Sequence, residues 1–298
     1  MDIRFKASLT AALLILAGCA TSAPGPRGAA VVADARLAAQ ASAFESFMRN
    51  ARGIEPGFSG PAAVRDGLIV GAGYEPKQME AGMVAYAALA ALQEPRFVAG
   101  VRKAAADRRD GRGLAARLAA HPELAASLPG ADAAAARANG ALQRQGEALA
   151  ASGRRVKQAS YDIQRQAWAK VFVPDARARL TRVKQVSGSG YRPAREDVAQ
   201  LYASMAQGGR RGGRGGPVID RGLAVAALTV LNEPARAGSL LREPRSGMCV
   251  RLAKLNLYQC LASAGPYYED IYCLAQHGML EPASCATDAV RPMRTAAR

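Results

Sequence analysis

Apolar residues recur every three or four positions along most of the chain, which is the period of an amphipathic helix. No run shows the strict alternation of a half-buried strand. Ala35 to Asn50 is a first helix, with Leu37, Ala41, Phe44 and Met48 on one face and Gly53 closing it. Residues 52 to 75 are rich in glycine and proline and read as mostly loop. Pro76 opens a second helix that stops near Gln93, before Pro95, and shorter helices follow at Phe97 to Arg108 and Leu114 to Ala120. The longest element runs from Ala131 to about Phe172. Its bulky residues Leu142, Leu149, Val156 and Ile163 keep a seven-residue period, and Gly146, Gly153, Ser160 and Ala167 each follow four positions later. That stripe of knobs and gaps reads as an internal packing seam; two glycines in it argue against an exposed dimeric coiled coil. Tyr161 and Trp168 make a second seven-spaced pair on a nearby face.

Further helices are expected at Pro174 to Lys184, Pro193 to Gln207, Gly247 to Ala264 and Tyr267 to Leu280. Pro282 should end the last of these. Val84 to Pro95 aligns without gaps on Leu223 to Pro234, so a duplicated helical unit and simple convergence of alanine-rich buried helices both remain open. The expected fold is all-α: an irregular multi-helix bundle with one long helix and a C-terminal, disulfide-stapled helical hairpin. Residues 34–298 form a single helical domain, with a candidate subdivision at the glycine/arginine tract 208–216.

The first residues depart from this pattern. Arg4 and Lys6 precede an apolar stretch from Ala7 to Ala17, and Leu16-Ala17-Gly18-Cys19 follows. A basic start, an apolar middle and small residues at the end make a secretory signal, and the apolar part is too short for a membrane-spanning helix. The segment resembles a bacterial lipoprotein precursor with its lipobox. That resemblance, confined to this segment, implies cleavage after residue 18 and lipidation of Cys19. Ala20 in place of an aspartate implies the periplasmic side of the outer membrane. With Cys19 as the first mature residue, residues 19–33 read as a flexible tether; an ordinary signal cut near Ala20 or Ala23 is the alternative.

Export changes how the remaining cysteines are read. Cys249, Cys260, Cys273 and Cys285 all lie in the last fifty residues, and an even set in an oxidising compartment argues for disulfides. On one helix, Cys249 and Cys260 stand roughly 16 Å apart, beyond the about 7 Å between α-carbons that a disulfide allows. Folding a hairpin at Gly265-Pro266 brings together residues whose numbers have a constant sum. Cys260 with Cys273 gives 533 and Cys249 with Cys285 gives 534, so nested pairs are expected. The arrangement resembles the twin-cysteine helical hairpins called coiled-coil-helix-coiled-coil-helix domains. Ten and eleven residues separate the cysteines here, wider than in that family, so the likeness is one of geometry. A zinc set of Cys273, His277, Cys260 and Cys285 is the competing reading, and the lack of a Cys-x2-Cys pair speaks against it.

The chain carries a formal charge of +16, which draws a protein to anionic surfaces. For an exported protein these are lipid headgroups, lipopolysaccharide phosphates or peptidoglycan carboxylates rather than nucleic acid. Arg210, Arg211 and Arg214 in the glycine/arginine tract are candidate anion-binding residues, although such a tract also reads as a loose basic loop. No Gly-x-Ser-x-Gly elbow or phosphate-binding loop is present, and His121 and His277 are the only histidines. No catalytic residue, metal or cofactor is expected. The most provocative acidic cluster is Glu269-Asp270 beside Tyr267 and Tyr268, although acids in a first helical turn also complement the helix dipole. The expectation is a non-catalytic cell-envelope lipoprotein, held to the membrane by its N-terminal lipid, with a basic body that binds anionic wall or membrane components or a protein partner. The alternative is a peptidoglycan-active enzyme with one acidic catalyst.

Overall fold

The computed structural model describes residues 34–107, 111–206, 209–212 and 215–292. Cys19, the tether 19–33 and Arg214 lie outside the described residues. Among the described residues the fold is all-α, and the only extended pairing is an isolated antiparallel bridge between Phe172 and Pro266. No described helix is long and apolar enough to cross a membrane.

The centre is α3, Pro76–Leu92, opened by Pro76 and capped by Glu75, whose carboxylate accepts the Gln78 N–H at 2.7 Å. Every residue from Gly82 to Ala91 is buried, as a helix apolar on all sides requires. Around it pack α1 (Ala35–Arg52), α6 (Ala131–Asp162), α9 (Pro217–Val230) and α10 (Pro244–Ser263). Close approach depends on small residues. A Cβ on Gly82 would fall 2.7 Å from Phe44 Cβ of α1, and one on Gly222 would fall 2.8 Å from Ala87 Cβ. The latter contact joins α3 to α9, the two helices of similar sequence. One hydrophobic cluster extends from Leu37 to Val290 and includes residues on both sides of the tract 208–216.

The long helix ends sooner than its pattern suggests. α6 stops at Asp162, and short 3-10 turns follow at Ile163–Arg165 and Ala167–Lys170, separated by extended Gln166. Leu142, Leu149, Val156 and Ile163 are buried as expected, and the gaps receive internal neighbours. Gly146 faces Ala283 and Thr287, and Gly153 faces Met279 and Leu280. Ala167 lies beyond the helix and is exposed. The remaining helices of this half are α4 (Pro95–Ala106), α5 (Leu114–Ala120), α7 (Ala176–Gly188) and α8 (Arg195–Ala206).

Two sequence expectations need correction. Within the stretch read as loop, residues 61–71 form α2, Pro61–Gly71. Its glycines serve packing instead of turning: a Cβ on Gly67 would lie 3.0 Å from Leu274 Cδ2, and Gly71 meets the same side chain. The second correction concerns Pro282. The helix that begins as α11, Tyr267–Cys273, passes through a π-helical stretch, Leu274–Leu280, and continues as α12, Glu281–Asp288. In a regular α-helix the proline ring collides with the carbonyl four residues back. The wider i→i+5 turn re-spaces that carbonyl, and Pro282 then sits in the first turn of α12, where its missing N–H is tolerated. Cys285 is therefore helical rather than in a tail.

The nested disulfides are present: Cys249–Cys285 with α-carbons 5.7 Å apart and Cys260–Cys273 at 5.6 Å. The π-turn lies between Cys273 and Cys285. It takes up one more residue per turn, and the paired numbers rise from 533 to 534 across it.

Candidate functional site: an arginine-lined pocket at the hairpin

α7 is capped by Asp175, whose side chain accepts the Ala178 N–H at 2.8 Å. One turn on, Arg179 points inward along the line it shares with Val183 and Ser187, and all three are buried. Its guanidinium binds Asp270 of α11 through Nη1 and donates through Nη2 to the carbonyls of Leu261 and Ala264, the latter at 3.2 Å. Those carbonyls belong to the end of α10, where the helix leaves acceptors without intrahelical donors and carries partial negative charge. One cation thus holds the end of α10 to the start of α11. Burial pushes the Asp270 carboxyl up to about 6, against the lowering pull of Arg179 and with a further raise from Glu269. Glu269 itself braces the turn, since its carboxylate accepts the Gly265 N–H at 2.8 Å.

Beside this pair lies a cavity of about 320 Å³ between α2, the Val173–Asp175 turn, α7 and α11. Arg65, Arg179 and Arg182 contribute positive charge to its wall, Asp175 and Asp270 negative, and Tyr267 an aromatic edge. Arg65 reaches only its neighbour Asp66, at 3.1 Å in solvent. With Asp270 bound internally by Arg179 and Arg65 beside Asp66, Arg182 is the wall guanidinium with no ion pair among the described residues. Arginine in pairs suits carboxylate and phosphate oxygens.

Two other buried polar groups stand apart from this pocket. Lys254 of α10 is only 3% exposed and donates to the Ala72 carbonyl at 2.7 Å, with its Nζ 3.4 Å from the centre of the Tyr74 ring. Burial pulls its amine well below the ordinary lysine value, with Glu75 pulling the other way. Ser187 donates to the same carbonyl at 3.1 Å. On α1, Glu45 is raised by burial despite Arg49, which also bonds Asp197 at 2.8 Å. Desolvation raises Asp197, but bonds from Tyr191, the Ala194 N–H and Arg49 outweigh it and leave the carboxyl below its usual value.

The residues singled out in the sequence fall as follows. Arg210 pairs with Glu94 at 2.5 Å, and Arg211 forms a two-point pair with Glu147 at 2.7 and 2.8 Å. The Arg211 N–H also donates to the Ala136 carbonyl at 2.9 Å, so this part of the tract is strapped to the body instead of hanging loose. His121 is exposed beside Glu123, and His277 bonds Glu281 at 2.7 Å. Cys260, Cys273 and Cys285 are consumed in disulfides, which removes the thiolates the zinc reading needs. No group of three metal-ligating side chains occurs among the described residues. The structure brings Asp270, not Glu269, into a buried site, and Arg179, Arg182 and Arg65 were not singled out in the sequence. The only available signal was the spacing of Arg179 with Val183 and Ser187, a polar residue on an otherwise apolar line. No protein-family model, curated protein or solved structure matches the chain.

Proposed function

We propose that the chain is a non-catalytic cell-envelope lipoprotein, anchored through lipid at Cys19 on the periplasmic side of the outer membrane, whose basic helical body binds anionic envelope components. The observation that carries this reading is the pocket wall, where Arg182 has no ion pair among the described residues, Arg65 has only a solvent-exposed pair with Asp66, and Arg179 already holds the buried acid Asp270. The net charge of +16 supports it, and the helical disulfide hairpin suits an oxidising compartment. Peptidoglycan carboxylates and lipid phosphates are the ligand chemistries that fit. The tract arginines Arg210 and Arg211 are secondary candidates, since Arg210 is held by the buried Glu94 and Arg211 by a two-point pair with Glu147, whereas Arg65 has only one solvent-exposed contact.

One observation favours the enzymatic alternative: Asp270 is buried, raised to about 6 and placed in a cavity. Its pairing with Arg179, which also holds the end of α10, gives that carboxyl a structural role. Cosedimentation with murein sacculi or anionic vesicles, released by salt and weakened by Arg65→Glu with Arg182→Glu, is the expected result. Cleavage of murein that Asp270→Asn abolishes, in a variant that stays folded, would replace this reading with the enzymatic one.

A further inference from the structure

Among the described residues the most exposed large apolar side chain is Phe172, at 72%, and its neighbour Val171 follows at 53%. Apolar residues exposed on loops are usually mobile, but these are fixed. The Val173 N–H donates to the Gly265 carbonyl at 2.9 Å, and the Tyr267 N–H donates to the Val171 carbonyl at 3.3 Å. One edge of the phenyl ring lies on Gly265, where a Cβ would come within 2.6 Å of it. Gly265 is the turn of the disulfide hairpin, so the tip rests on the most covalently constrained part of the molecule. Trp168 and Tyr267, both partly buried, form the base, with ring centres 6.2 Å apart.

The tip segment, residues 162–177, carries three basic and two acidic side chains. Arg165, Lys170 and Arg177 are exposed on the same segment. The acids nearby accept from neutral donors and keep their charge, Glu269 from the Gly265 N–H, Asp175 from the Ala178 N–H and Asp162 from Gln158, so the attraction to an anionic surface comes chiefly from the chain's overall +16. A rigid apolar point and an aromatic base on a strongly basic chain match the interface of an anionic bilayer, where aromatic rings settle at headgroup depth and basic residues add attraction.

We propose that the Val171–Phe172 tip is a membrane-contact site that inserts into the headgroup region of an anionic bilayer. The proposal rests on the lipoprotein reading only for the presence of the membrane nearby. The fifteen residues from Cys19 to Ala33 span at most about 50 Å when extended. A lipid at Cys19 therefore keeps the body within reach of the surface, and raises the effective concentration of a contact that alone is weak.

Trp168 is the only tryptophan in the chain and sits at the base of the tip. The test uses the body from residue 31 onward, which contains the whole buried core and lacks the lipid. It is titrated with vesicles of phosphatidylglycerol and phosphatidylcholine, and with phosphatidylcholine alone. Anionic vesicles should shift Trp168 emission to the blue, and brominated acyl chains should quench it. Phe172→Asp should weaken partitioning at least about tenfold, from the loss of one buried aromatic side chain. Leu252→Asp, on the exposed face of α10, should change it less than about twofold. Equal partitioning of wild type and Phe172→Asp, equal binding to neutral vesicles, or binding to murein alone overturns the proposal. Separately, mass spectrometry of the chain recovered from bacterial membranes tests acylation of Cys19. A missing lipid refutes the anchor and leaves the vesicle result standing on its own.

Discussion

Replacing Arg179 with methionine removes three polar contacts while keeping much of the side chain's apolar stem. Removing one partner of a buried ion pair costs roughly 3–5 kcal/mol. The lost bonds to Leu261 and Ala264 account for about 1–2 kcal/mol of that and are independent of pH. The remainder, about 2–3 kcal/mol, arises from an ionised Asp270 without its cation, and it titrates. In the native protein the Asp270 carboxyl is already raised to about 6, against an ordinary value of about 3.9. A folded-state value above the unfolded one means that the folded protein holds the proton more tightly. The associated stability is complete below about pH 4 and is lost as the pH rises through about 6. Without Arg179 the folded-state value climbs further and the window extends upward. Urea denaturation with the disulfides intact should therefore place Arg179→Met about 4 kcal/mol below wild type at pH 7.5 and only about 1–2 kcal/mol below it at pH 4.5. The double variant Arg179→Met with Asp270→Asn should lose about 1–2 kcal/mol at both pH values. An equal loss for the single variant at pH 4.5 and pH 7.5 would refute the assignment of an uncompensated carboxylate, and so the role given to this pair.

Lys254 behaves in the opposite sense. Its folded-state value is depressed, so the unfolded chain binds the extra proton and stability falls as the pH drops towards that depressed value. Lys254→Met should therefore flatten the acid side of the stability curve, at a cost near pH 8 of no more than about 1.5 kcal/mol. The Ala72 carbonyl keeps Ser187 as a donor. Glu94→Gln should free Arg210 and speed tryptic cleavage at Arg210-Arg211, while global stability changes far less than the cleavage rate. Gly82→Ala should destabilise by about 1–3 kcal/mol in thermal unfolding despite better helix propensity, because the added methyl meets the Gln40 backbone carbonyl at 2.8 Å.

The features legible in the sequence were those set by local period. The seam of α6 follows from a seven-residue repeat, and the nested disulfides follow from the constant sum of an antiparallel hairpin. What escaped depends on neighbours distant in the chain. Gly67 and Gly71 look like turn residues until Leu274, far along the chain, fills the space they leave. Pro282 looks like a stop until the π-turn makes room for it. Arg179 and Lys254 look like surface charges, and only the end carbonyls of α10 and α2 explain their burial. Phe172 reads as the end of the long helix; the break at Asp162 is what delivers it to a tip. Glu94 and Glu147 likewise tie down Arg210 and Arg211 within a tract that reads as loose.

The hairpin is thus scaffold and support at once, and its two bridges should differ in what they support. By the loop-entropy estimate, cutting Cys249–Cys285, which spans 36 positions, should cost about 4 kcal/mol, and cutting Cys260–Cys273, which spans 13, about 3 kcal/mol. The order for the tip is reversed. Cys260–Cys273 lies nearest the Gly265-Pro266 turn on which Phe172 rests, whereas Cys249–Cys285 closes the far end of the hairpin. Paired serine substitutions at 260 and 273 should therefore lower vesicle partitioning more than those at 249 and 285, although they lower the denaturation midpoint less. The two rankings come from different assays on the same variants. If partitioning merely follows stability, the hairpin is a staple with no special bearing on the tip. If the rankings cross, the local rigidity of the turn is what holds Phe172 exposed.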